Sequence, residues 1–82
     1  MWTKYNYYDY EKAYYKLQWY KCREIALYLL PLLKNDKAKE LYKKLKKEKE
    51  YKWNAPKEDL ARLYKLYFDI KVWLMVYQNE FN

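Results

Sequence analysis

The chain contains no glycine. Tight β-hairpins turn through backbone conformations with φ > 0, which glycine adopts at the lowest cost, so a sheet built from hairpins is disfavoured here. Helices joined at Asn, Asp and Pro breaks have no such requirement. An all-α fold is predicted on this ground alone. With 82 residues, the chain is one domain near the lower size limit for an adequate core. Aromatic residues compensate for small size, because each buried ring removes a large area from water. They make up 23% of the chain, with 13 Tyr and 4 Trp.

Apolar spacing divides the chain into three helices, at about 8–33, 37–52 and 56–79. In the first, Tyr8, Tyr15, Trp19, Cys22, Ala26, Leu29 and Leu33 recur three, four or seven residues apart, and Ile25 and Leu30 widen the stripe. Pro31 removes a backbone donor near the end, which predicts either a stop or a kink with one further turn. Asn35 or Asp36 caps the second helix, whose apolar stripe is narrow: Ala38, Leu41, Tyr42 and Leu45. Its Glu40–Lys44 and Glu48–Lys52 pairs stand in the favourable order. Asn54 or Ala55 caps the third helix, with Pro56 in the first turn and Glu58 and Asp59 at the positive end of the dipole. Leu60, Leu63, Tyr67, Ile70, Leu74, Tyr77 and Phe81 then alternate at three and four. Residues 1–7 are expected to be loosely packed. The predicted architecture is a long–short–long antiparallel three-helix bundle.

This bundle has more apolar surface than it can cover. Tyr10, Ala13, Leu17, Tyr20 and Leu27 form a second stripe on the first helix, and Val72 to Tyr77 is apolar on every side of the third. Such excess predicts a homodimer or a docking face for a cellular protein, lined by Leu17, Tyr20, Leu27, Leu66, Val72, Trp73 and Val76. The competing view is that tyrosine tolerates exposure and that ordinary surfaces are largely apolar.

Several chemistries are excluded by composition. The chain has no His and no Ser, and Thr3 is its one threonine. The usual base near neutral pH and the serine nucleophile are therefore absent. Without Gly there is no P-loop and no dinucleotide fingerprint. One Cys without His cannot build an ordinary zinc site, and no cofactor is implied. Cys22 has no partner for an intramolecular disulfide, and its place on the first stripe suits a small buried hydrophobe. Glu58 and Asp59 are neighbours that point apart on a helix, so they do not converge on a metal. A tyrosine nucleophile would need His or clustered Arg, whereas the chain offers Arg23 and Arg62. A non-enzymatic protein is expected.

The net charge of +7 points to anionic partners. Segment 34–52 carries nine lysines against four acids. Lys39, Lys43, Lys44, Lys46 and Lys47 are the candidate phosphate contacts, and Tyr51 and Trp53 the candidate stacking platforms, each worth ~1–3 kcal/mol per base. A merely solvated Lys/Glu helix is the competing reading. Its apolar face is too narrow for membrane insertion. A helix-turn-helix reader is disfavoured, since Glu58 and Asp59 open the helix that would meet the DNA. The first residues lack the apolar core of a signal peptide, which predicts a cytoplasmic protein. The expectation is therefore a small basic nucleic-acid-binding protein of low sequence specificity, such as a viral or plasmid accessory factor. The alternative is a protein–protein adaptor or inhibitor.

Overall fold

The structure is a computed structural model that describes residues 4–50 and 55–80. The described residues are helical, with no strand. Four α-helices follow one another: α1 (Tyr7–Tyr15), α2 (Trp19–Leu29), α3 (Asp36–Lys47) and α4 (Lys57–Val76). A 3-10 turn, Leu30–Leu33, continues α2, and a second, Gln78–Glu80, follows α4. α1 packs against α2 and α4, and α3 packs against α2 and α4.

The single helix expected over 8–33 is two helices. Lys16 and Leu17 form a turn, and Leu17 takes a left-handed conformation with φ 55°. Gln18 N–H then donates to the Ala13 carbonyl at 3.0 Å, which closes the end of α1. The break changes which side of the chain faces inward. In α1 the buried residues are Tyr7, Tyr10 and Ala13, while Tyr8 and Tyr15 are exposed. In α2 they are Trp19, Cys22, Ile25, Ala26 and Leu29. The two stripes that compete on one helix in the sequence are thus one stripe on each of two helices.

Residues 4–7, the described part of the segment expected to be loosely packed, are anchored by specific contacts. Asn6 and Asp9 form a reciprocal capping box: Asn6 Oδ1 accepts from Asp9 N–H at 3.1 Å, and Asp9 Oδ2 accepts from Asn6 N–H at 2.9 Å. Lys4 N–H donates to the Tyr28 hydroxyl at 3.0 Å, and the Tyr5 ring meets Tyr28 edge-on.

At Pro31, where the sequence leaves a stop or a kink open, the chain tightens to 3-10 geometry for one further turn and keeps Leu30 and Leu33 buried. Lys34 then reverses the chain in a left-handed conformation (φ 43°, ψ 42°). Asn35 caps α3 through its side chain, accepting from Ala38 N–H at 2.8 Å. α3 buries Ala38, Leu41 and Leu45 as its spacing predicts, but it stops at Lys47 rather than near 52. Glu48 is extended, and it pairs with Arg62 of α4 at 3.1 Å. α4 starts one residue later than expected, with Pro56 at the cap position, and buries Leu63, Tyr67, Ile70 and Leu74 on the predicted face.

The core is assembled around aromatic rings. Trp19 lies flat on Tyr67 with ring centroids 5.1 Å apart, and Tyr64 meets it edge-on at 5.1 Å. Such pairs contribute ~0.5–1.5 kcal/mol each beyond their buried area. The Tyr10 hydroxyl, fully buried, donates to the Tyr67 backbone carbonyl at 2.7 Å and ties α1 to the middle of α4.

Both left-handed residues carry a Cβ, which costs ~1–2 kcal/mol relative to right-handed geometry. Lys34→Gly should therefore raise stability by about 1 kcal/mol, seen as a higher urea midpoint with an unchanged slope. An unchanged or lower midpoint would contradict this account of the turn.

Candidate nucleic-acid interface

α3 presents two unlike edges on either side of its buried stripe. Lys37, Glu40 and Lys44 lie on the first: Glu40 sits 3.2 Å from Lys44 and 4.0 Å from Lys37. The hydrogen bond from Lys44, with the charges of Lys37 and Lys44, holds the Glu40 carboxyl below the usual carboxylate range. This edge continues toward α4 as a depression of mixed charge, in which Lys44, Lys47, Arg62 and Lys65 stand with Glu48 and Asp69. Arg62 bridges Glu48 and Asp59 there, at 3.1 and 3.2 Å.

The second edge faces the 3-10 turn. Lys39 and Lys43, one helical turn apart, stand there with Lys34, and the helical period carries the same edge on to Lys46. All four lysines are exposed, and among the described residues no carboxylate pairs with them. Between them lies an apolar groove with Leu30, Pro31, Ala38 and Tyr42 in its walls.

The five lysines taken together in the sequence are thus divided. Lys39, Lys43 and Lys46 share the unpaired edge, Lys44 belongs to the paired one, and Lys47 lies toward α4. Tyr51 and Trp53, the expected stacking residues, lie outside the described residues. Tyr42, assigned by its spacing to the buried stripe, is half-buried and lines the groove. Lys34 and Tyr42 were not singled out by the spacing of charges. Their roles depend on the chain reversal after Pro31, which no periodicity encodes.

The predicted apolar interface is dispersed. Leu17 and Tyr20 are exposed and Leu27 is half-buried. Leu66 is a core residue at 8% exposure, since it projects toward α3 rather than away from it. Val72 and Trp73 are half-buried, and Val76 is exposed. The exposed apolar residues of α4 are Tyr64, Phe68, Met75 and Val76, so the exposed face includes one of the expected residues together with three others. Lys71, between them in sequence, is buried, and its ammonium lies 5.4 Å from the ring centroid of the exposed Tyr15 of α1. The apolar positions of α4 are so numerous that spacing alone did not separate this face from its neighbours.

The titrating groups in the core share one tendency. Burial pushes the Cys22 thiol up to about 12 and raises the Tyr10 and Tyr67 hydroxyls above their ordinary value. Burial works against the Lys71 ammonium, but its hydrogen bonds and charge interactions with Tyr7 and Tyr15 outweigh this and raise its pKa. Cys22 is a packed thiol held in its neutral, unreactive form. Among the described residues no group of three or more His, Cys, Asp or Glu is placed to hold a metal ion. Nor is any helix among them long and apolar enough to cross a membrane.

The unfolded chain releases these protons at lower pH than the folded one. Their contribution to stability is therefore fully present below about pH 9, near the ordinary thiol and phenol range, and is lost as pH rises toward 12. Thermal melts across this range should show a falling midpoint. Cys22 should resist thiol reagents at pH 8 until the protein unfolds; rapid labelling of the native state would contradict its burial.

No family model, curated protein or solved structure matches this chain.

Proposed function

We propose that this chain is a small, non-enzymatic nucleic-acid-binding protein of low sequence specificity that works in the cytoplasm. The observation that carries the reading is the division of α3 into a paired edge and an edge where Lys39, Lys43 and Lys46, with Lys34 of the preceding turn, have no carboxylate partner among the described residues. A helix whose lysines served only to solvate it would gain from acid partners on both edges, as the Glu40 side has. Lysine supplies point charges for phosphate rather than bidentate contacts to bases, so binding is governed by backbone charge.

Fluorescence anisotropy with labelled nucleic acid at several salt concentrations tests this. Three to four phosphate contacts predict a plot of log K against log salt with a slope of about −2 to −4. The charge reversal Lys39→Glu, Lys43→Glu, Lys46→Glu should abolish binding while leaving the circular dichroism melt unchanged. The pair Lys37→Ala, Lys44→Ala should weaken it far less. An absence of binding at low salt rules the reading out.

A second reading, self-association, is favoured by the stripe on α4. Ala61, Phe68 and Met75 are spaced by sevens, with Tyr64 and Val72 beside them, as in a helical seam. A two-fold dimer allows this stripe to pack against its own copy and covers the exposed rings. Sedimentation should give a dimer at micromolar concentration, and Phe68→Glu should return a folded monomer. A wild-type monomer under those conditions removes this reading and leaves the lysine edge untouched.

A further inference from the structure

We infer that the groove between the 3-10 turn and α3 holds one unpaired nucleobase, so that the protein selects single-stranded over duplex nucleic acid. The inference rests on the lysine-edge reading and names the kind of strand it accepts. The groove measures ≈ 460 Å³, within the range of ligand pockets. Its walls are apolar: Leu30 and Pro31 from one side, Ala38 and Tyr42 from the other. Its rim is cationic on both sides, with Lys34 on the turn and Lys39 and Lys43 on the helix.

The cationic rim favours an anionic occupant, and the short run of α3 along the groove bears on its size. From Ala38 to Lys43 the groove follows five steps of α3, roughly 7.5 Å at the helical rise. An amphipathic peptide helix that anchors at i, i+4 and i+7 needs about 10 Å, more than this length. A lipid tail requires an enclosed apolar channel, whereas this groove is open along one side. One flat heterocycle fits, with the Tyr42 ring as its stacking partner. The strand on either side of that base then carries its phosphates to Lys34 and to the Lys39–Lys43 edge. In a duplex the bases are stacked and paired inside the helix, and one reaches the groove only after it is unpaired.

Anisotropy titrations compare labelled oligothymidylate with a mixed-sequence hairpin duplex at the same salt. The expected preference for the single strand is about tenfold, within the range that one base stack supplies. Tyr42→Ala should remove that preference by weakening the single strand alone, and Tyr42→Phe should retain it. A second measurement needs no variant: ultraviolet cross-linking of the wild type to a strand carrying 5-iodouracil should map to the peptide containing Tyr42. Equal affinity for both forms, or cross-links confined to other peptides, overturns the groove inference while the lysine edge stands. A loss of all binding in the Lys39, Lys43, Lys46 charge reversal together with an intact single-strand preference in the wild type supports both. No binding of either form overturns both.

Discussion

The left-handed turn at Leu17 determines how the rest of the chain packs. A continuous helix from Tyr7 to Leu29 would place Tyr10 and Ala13 on a different side from Cys22 and Ala26, and one of the two stripes would face water. The three-residue break removes the conflict. α1 folds back so that Tyr7, Tyr10 and Ala13 enter the core that Trp19, Cys22 and Ile25 enter from α2. The chain has no glycine to place at this turn, so a leucine with its Cβ carries the strain, ~1–2 kcal/mol. Burial of two tyrosines and an alanine is worth more than this, at roughly 25 cal/mol per Å² of apolar area.

Tyrosine serves as both an apolar and a polar core residue. Tyr10 is fully buried, and its hydroxyl would be costly there without a partner. The Tyr67 carbonyl supplies one across the α1–α4 contact. Tyr67 in turn offers its ring face to Trp19. One residue on α4 is therefore held by α1 through its backbone and by α2 through its ring. This arrangement gives a small domain fixed helix positions, which aliphatic packing alone specifies less tightly. It also makes the core sensitive to alkali in expectation, because the groups that define it are weak acids kept neutral by burial.

The helical class, the break near Asn35, and the buried faces of α3 and α4 were legible in the sequence, because each is a local pattern of spacing and capping. Leu41, Leu45, Leu63, Tyr67, Ile70 and Leu74 are buried where their periods place them. The break at Leu17 was not legible, since Lys16-Leu17-Gln18 contains no residue that disfavours a helix strongly enough to mark it. The early stop of α3 at Lys47 was hidden for a similar reason. Helix-favouring Lys and Glu continue beyond it, while the Glu48–Arg62 pair that accompanies the stop is a tertiary contact. The positive charge of the middle segment was visible as a total. Its division into paired and unpaired edges was not, because Lys39 and Lys44 look alike until the neighbouring elements are in place.

The two left-handed residues have complementary consequences. Leu17 directs side chains into the core, whereas Lys34 shapes the surface. Pro31 carries no N–H, and the backbone after α2 tightens into a 3-10 turn that buries Leu30 and Leu33 and leaves Pro31 outside. The reversal at Lys34 then lets Asn35 restart the chain as α3. Because the reversal is this sharp, the turn and the first half of α3 stand side by side. Their apolar side chains meet below and their lysines rise on either bank. Asn35, one position later, is a residue type that accepts the left-handed region more readily than lysine does. Lysine at the strained position places a cation on the bank of the groove that α3 itself does not reach, and the same residue that strains the turn completes the positive rim.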